Sequence, residues 1–189
     1  MLSQPLHVLF LSTANTARSL MSEALLRDLA GGRVRCFSAG TNPVGTIFPE
    51  VEKLLCDKGY ETAGLFSKPL QLFMEEGAPH TDLVITVCAP DEHMPVLGPL
   101  GALRVHWELP SIIDISSLEA QRSVIKASYK ALEDSIRQVL QPSWEGLTGR
   151  GIQKLFERVT PSDLPHLAKE NIIPESLLFE LEAPTTAYA

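Results

Sequence analysis

The sequence predicts a doubly wound α/β domain: a parallel central sheet of about four strands with helices on both faces. Three observations carry that expectation. Short apolar, strand-forming runs alternate with stretches of helical periodicity. The run DLVITV at residues 82–87 is apolar almost throughout, as a strand covered on both faces must be. The chain has 189 residues, 44% of them hydrophobic, enough for one sizeable core.

Residues 6–11, LHVLFL, form the first predicted strand. A polar loop follows, then a helix whose apolar face is Met21, Ala24, Leu25 and Leu29, stopped by Gly31 and Gly32. Residues 34–37 begin a second strand that runs into Ser38-Ala39-Gly40-Thr41. Phe48-Pro49-Glu50 opens a second helix, with proline at a tolerated first-turn place; Val51, Leu54 and Leu55 are its apolar face and Gly59 its end. Residues 82–87 and 103–107 are the third and fourth strands. Ser116 and Glu119 have capping-box spacing ahead of a long helix with the stripe Leu118, Ile125, Tyr129, Leu132, Ile136 and Val139.

After Val139 the composition changes, and Pro142, Gly146, Gly149 and Gly151 within ten residues read as a linker or surface loop. The domain is expected to span residues 1–141. Residues 142–189 are expected to form an extension of short helices, with starts at Thr160-Pro161 and Pro174-Glu175 and apolar residues Leu155, Phe156, Leu164, Leu167, Leu177 and Leu181. Such residues need cover. The extension is expected to pack back on its own domain; the competing reading is a homodimer or protein-partner interface through residues 144–189.

A net charge of -7 disfavours nucleic acid and anionic membrane surfaces as partners, since both reward clustered Lys and Arg. No basic leader precedes an apolar stretch at the N-terminus, and no eighteen apolar residues run together, so a soluble, cytoplasmic protein is expected. Cys36, Cys56 and Cys88 are too few and too scattered for a disulfide framework, and Cys36 and Cys56 are expected to be small buried hydrophobes. His7, His80, His93, His106 and His166 show no metal spacing, so neither metal nor cofactor is expected. Trp107 and Trp144 are expected as core or interface anchors.

The candidate site is the loop Ser12-Thr13-Ala14-Asn15-Thr16-Ala17-Arg18-Ser19, between a buried strand and a helix start. Successive backbone N–H groups there can converge on one anion. Arg18 can add two parallel charge-assisted bonds, and the helix N-terminus adds partial positive charge. All eight residues are expected to bind an oxyanion. The bland alternative is an ordinary turn whose Ser and Thr cap the helix while Arg18 lies in solvent.

The residues VLFLSTANTARSLMSEALLR at 8–27, FSAGT at 37–41, Ser67-Lys68, DLVITVC at 82–88 and His106-Trp107 together resemble the low-molecular-weight protein tyrosine phosphatases. They resemble more closely the thioredoxin-coupled arsenate reductases of the same fold. The resemblance covers roughly residues 6–140. It implies a cysteine thiolate nucleophile at the first loop place, where this chain has Ser12, and a general-acid aspartate in an Asp-Pro pair, where it has Ser111-Ile112. It also implies two resolving cysteines: Cys88 matches the first, and Met94-Pro95 stands at the second. Asp114 and Glu108 lie near the general-acid place without fitting the pattern.

These departures imply a catalytically impaired protein that keeps a loop for phosphate, arsenate, sulfate or a phosphorylated partner. Two alternatives stand beside it. One is a Cys-to-Ser trapped form of an active phosphatase or arsenate reductase, which leaves Ser111 and Met94 unexplained. The other is an interaction module acting through the extension.

Overall fold

The computed structural model describes residues 5–88, 98–112 and 115–161. Four strands, β1 (Leu6–Ser12), β2 (Val34–Gly40), β3 (Leu83–Cys88) and β4 (Leu103–Glu108), form one parallel sheet in the order β2-β1-β3-β4. Helix α1 (Arg18–Leu29) connects β1 to β2, α2 (Pro49–Asp57) follows β2, and α3 (Leu118–Leu140) and α4 (Gly149–Arg158) follow β4. The expected fold class is the observed one.

Chain direction across the sheet fixes where a site can form. From β1 the chain winds outward to β2, then returns past β1 to β3 and β4. The reversal places a crevice at the carboxyl end of β1, where doubly wound sheets bind ligands. The loop after β1 occupies that place.

The pleat of β1 divides the core. Val8 and Phe10 face the larger cluster with Leu20, Met21, Leu25, Val124, Leu132 and Ile136 from α1 and α3. Leu9 and Leu11 face the opposite side with Ala39, Val84, and Leu70 and Phe73 of a short 3₁₀ helix, Leu70–Phe73. Such double coverage is why these strands read as continuous apolar runs rather than alternating ones.

Helix limits follow local chemistry. Gly31 and Gly32, at φ 56° and 83°, turn the chain after α1 through a left-handed conformation that costs a side chain steric energy. The cap of α3 is Ser117, whose side chain accepts from the Ala120 N–H at 3.4 Å, so the expected Ser116–Glu119 capping box is displaced by one residue. Leu118, expected in the buried stripe, is 49% exposed because core contact begins at Ala120 and Val124. Cys56, expected to be buried, is exposed: α2 presents Val51 and Leu55 to the core, and one further residue turns the thiol away.

Residues 142–161 join the main core. Trp144, Ile152 and Phe156 are buried in the same cluster as Phe10 and Trp107. Trp107 stacks on Phe156 with ring centroids 5.8 Å apart and donates its indole N–H to the Phe156 carbonyl at 2.9 Å. Trp144 donates to the Val139 carbonyl at 3.1 Å. Leu164, Leu167, Leu177, Leu181 and the Pro174-Glu175 start lie outside the described residues, as does the helix expected from Thr160-Pro161. Among the described residues, no helix is long and apolar enough to cross a membrane.

Because Phe156 fills a fully buried site between two tryptophans, Phe156→Ala is expected to destabilise the protein by about 3–5 kcal/mol. Guanidinium unfolding of the full chain measures this. A loss below about 1 kcal/mol would mean that α4 is not part of the cooperative core.

Candidate functional site

β1 ends at Ser12, paired in register with Gly40 at the end of β2. Between Ser12 and the start of α1 the chain folds over the sheet edge, held from outside by backbone bonds. Thr41, Asn42, Val44 and Phe48 N–H groups donate to the carbonyls of Ser12, Thr13, Ala14 and Thr16 at 2.9–3.3 Å. The loop carbonyls are thus directed toward the segment after β2.

Asn15 is the hinge of this loop. It has φ 50°, in the left-handed region that asparagine tolerates better than most residues. Its side-chain N–H donates to Ser19 Oγ at 2.8 Å, and its side-chain oxygen accepts the Lys68 N–H at 2.7 Å. Ser19 Oγ lies 2.8 Å from Ser12 Oγ, and the Asn15 N–H donates to Ser12 Oγ at 3.2 Å. Ser67 donates to the Ala14 carbonyl at 3.0 Å. Ser12, Asn15, Ser19, Ser67 and Lys68 are all buried, at 8% exposure or less.

Gly40 is required by close approach. A Cβ there would sit 2.7 Å from the Thr13 carbonyl oxygen and 3.0 Å from Asn15 Cβ, closer than non-bonded atoms pack. The glycine of the FSAGT stretch therefore lets β2 and the loop touch. Its N–H donates to the Lys68 carbonyl at 2.8 Å, which fixes the Ser67-Lys68 segment against the sheet.

The loop surrounds a small pocket lined by Ser12, Ala14, Asn15, Thr16, Ala17, Arg18 and Ile112. Arg18 is the first residue of α1 and is 6% exposed; one guanidinium N–H donates to the Leu109 carbonyl at 3.2 Å. The N-cap residue is Ala17, with no side-chain cap. Neither part of the bland turn holds: Ser and Thr do not cap α1, and Arg18 is buried. A helix N-terminus, a buried arginine and a loop of small residues form an electropositive concavity suited to a compact anion.

Of the eight loop residues, six line the pocket; Ser19 supports Ser12 from behind, and the Thr13 carbonyl faces Gly40 and Asn42. The segment after β4 reaches the same pocket through Ile112, buried at 1% exposure, while the neighbouring Ser111 is half-buried and not among the lining residues. Glu108, at the end of β4, is exposed. Asp114, Met94, Pro95, His93 and His166 lie outside the described residues.

Cys88 ends β3 and is 2% exposed, with Sγ 4.0 Å from His106 Nδ1; that nitrogen also lies 2.8 Å from Thr86 Oγ1. Cys36 is buried, and burial, followed by the nearby Glu23 carboxylate, pushes its thiol well above the usual range, so it is no stand-in nucleophile at neutral pH. Among the described residues no His, Cys, Asp and Glu group is arranged to hold a metal ion.

This fold and loop define a family. The low molecular weight phosphotyrosine protein phosphatase model matches residues 7–106, and the chain belongs to that family. It is similar to a thioredoxin-dependent arsenate reductase of Corynebacterium glutamicum, at 28% identity and TM-score 0.50, over 72% of this chain and 64% of that one. The chain thus spans less than two thirds of that relative's length. An arsenate reductase in the phosphate-binding state matches at 24% identity and TM-score 0.54, over 70% of this chain and 97% of that one. A tyrosine phosphatase of Erwinia amylovora matches at 17% identity and TM-score 0.52, over 69% and 88% of the two chains. No curated protein matches.

Sequence reasoning missed Gly40, Ser67 and Lys68 as parts of the site, although all three lie in the stretches that carry the family resemblance. Asn15→Ala removes two buried side-chain bonds and leaves alanine in a left-handed conformation. It is expected to destabilise by about 2–4 kcal/mol. Gly40→Ala is expected to cost about 1–3 kcal/mol through overpacking. Urea unfolding checks both, and near-neutral values would mean the loop is not held as described.

Proposed function

We propose that this chain is an oxyanion-binding member of its family that no longer turns over phosphate esters or arsenate. The observation that carries the reading is the serine at position 12. Its hydroxyl is held by Ser19 Oγ and the Asn15 N–H inside a loop that otherwise keeps its arginine, its helix end and its supporting bonds. A serine hydroxyl ionises far more weakly than a thiol, and the field that makes a cysteine thiolate does not make a comparable alkoxide. Activation would need an adjacent base. Among the described residues, the partners of Ser12 Oγ are a hydroxyl and an amide.

The leaving-group side supports the same reading. The segment after β4 offers the pocket Ile112, which has no proton to give. General acid–base catalysis is worth about 10²–10⁴ in rate, so its loss compounds that of the nucleophile. A disulfide relay is also unsupported: position 94, where the second resolving cysteine is implied, is methionine.

The remaining chemistry is recognition. Phosphate, arsenate and sulfate share a tetrahedral shape that backbone amides and an arginine can hold, and a phosphorylated group on a partner presents the same oxygens. Neither metal nor cofactor enters this reading. Three cysteines with no disulfide among them accord with a reducing cytoplasm as its setting.

The native chain is expected to show no hydrolysis of an aryl phosphate and no arsenate reduction above background. Ser12→Cys is expected to remain at least about 10²-fold below an active phosphatase, because the general-acid place still holds Ser111, whose hydroxyl is far too weak an acid to replace a carboxyl group. Steady-state assays of both chains decide this. Family-like turnover in Ser12→Cys would show instead that the serine alone separates this chain from an active enzyme.

A further inference from the structure

Beneath the loop lies a buried ionic cluster that the binding reading does not use. Lys68 Nζ is 3.3 Å from Glu23 Oε2, 3.4 Å from Ser38 Oγ and 3.0 Å from the Phe66 carbonyl oxygen, and it lies 4.7 Å from the Phe66 ring centroid. The Lys68 and Glu23 side chains are only 10% and 7% exposed. Ser38 donates to the same Glu23 oxygen at 2.5 Å, and the Arg27 guanidinium stands 3.9 Å from the other.

The cluster is joined to the pocket through short covalent paths. Glu23 stands on α1 five residues after Arg18, which lines the pocket, and Ser38 lies on β2 two residues before Gly40. Lys68 reaches the loop through its own backbone: its N–H holds Asn15 and its carbonyl receives Gly40. Its side chain then turns inward rather than toward the pocket.

Electrostatics gives that arrangement a purpose. A carboxylate near the start of α1 opposes the partial positive charge that the helix end and Arg18 offer an anion. Arg18 and Glu23 are both buried, at 6% and 5% exposure, so the opposition is screened less than it would be at the surface. We infer that Lys68 is a positioning residue for the oxyanion site: its buried ammonium neutralises Glu23 beneath the loop while its backbone clamps Asn15. This inference rests on the oxyanion-binding reading. A lysine that only filled space would serve as well uncharged.

Phosphate titrations by calorimetry at constant pH and ionic strength, on the full chain and its variants, test this. Lys68→Met is expected to weaken phosphate binding on the order of tenfold. Adding Glu23→Gln to Lys68→Met removes the stranded carboxylate and is expected to return affinity to within about threefold of the unsubstituted chain. An unchanged Lys68→Met, or a double variant as weak as Lys68→Met, overturns the inference alone. Absence of phosphate binding by the unsubstituted chain overturns the binding reading and this one with it.

Should Lys68→Met fail to fold, Glu23→Gln and the double variant carry the comparison. With no carboxylate left to neutralise, the ammonium adds to the field at the pocket. Glu23→Gln is then expected to bind phosphate several-fold more tightly than the double variant. Equal affinities overturn the inference.

Discussion

The site depends on one residue held in an uncommon backbone conformation. Asn15 bends the loop through the left-handed region, and its amide then bonds forward to Ser19 and across to the Lys68 backbone. Without that bend the loop cannot return to α1 in so few residues. Without the two side-chain bonds the bend has nothing to hold it, because left-handed backbone costs energy for any residue other than glycine. Gly40 completes the constraint by leaving room where β2 meets the loop. The pocket is thus determined from below and from the side before any ligand arrives, and a preorganised site loses little to ordering when it binds.

Sheet topology supplies the platform. The β2-β1-β3-β4 order makes β1 the strand at which the winding direction reverses, so the loop emerges into a crevice instead of being covered by the next helix. The larger core beneath it is shared by all four helices. Trp107, Phe156 and Trp144 extend that core into the segment after α3. A stable frame of this kind holds the loop's geometry whichever residue stands at position 12. Binding and nucleophilic attack draw on different atoms, and only the second needs the thiolate.

Much of this was legible in the sequence, and the exceptions have physical causes. Strand and helix order could be read because apolar runs covered on both faces and a 3.6-residue stripe are strong, local signals. The loop after β1 could be singled out as a candidate site because its small residues and arginine fall between a strand and a helix. The cap of α3 was misplaced by one residue because Ser116 and Ser117 are chemically equal candidates and only the three-dimensional path selects between them. Cys56 was misjudged because burial tendencies of a residue type say nothing about which side of a short helix it occupies. The Glu23, Ser38 and Lys68 cluster was hidden for a different reason: its members are 15 to 45 residues apart and meet only when β2 and the following segment close over α1.

The central claim is that the loop remains a working oxyanion site without its nucleophile. The most direct measurement is a thermal-unfolding titration with phosphate, arsenate and sulfate at matched ionic strength, on the native chain and on Arg18→Ala. A ligand at a hundred times its dissociation constant stabilises the folded state by about 2.7 kcal/mol. The account predicts a saturable rise in Tm for the native chain that Arg18→Ala abolishes. An unchanged Tm in the native chain, or an equal rise in both, would contradict it.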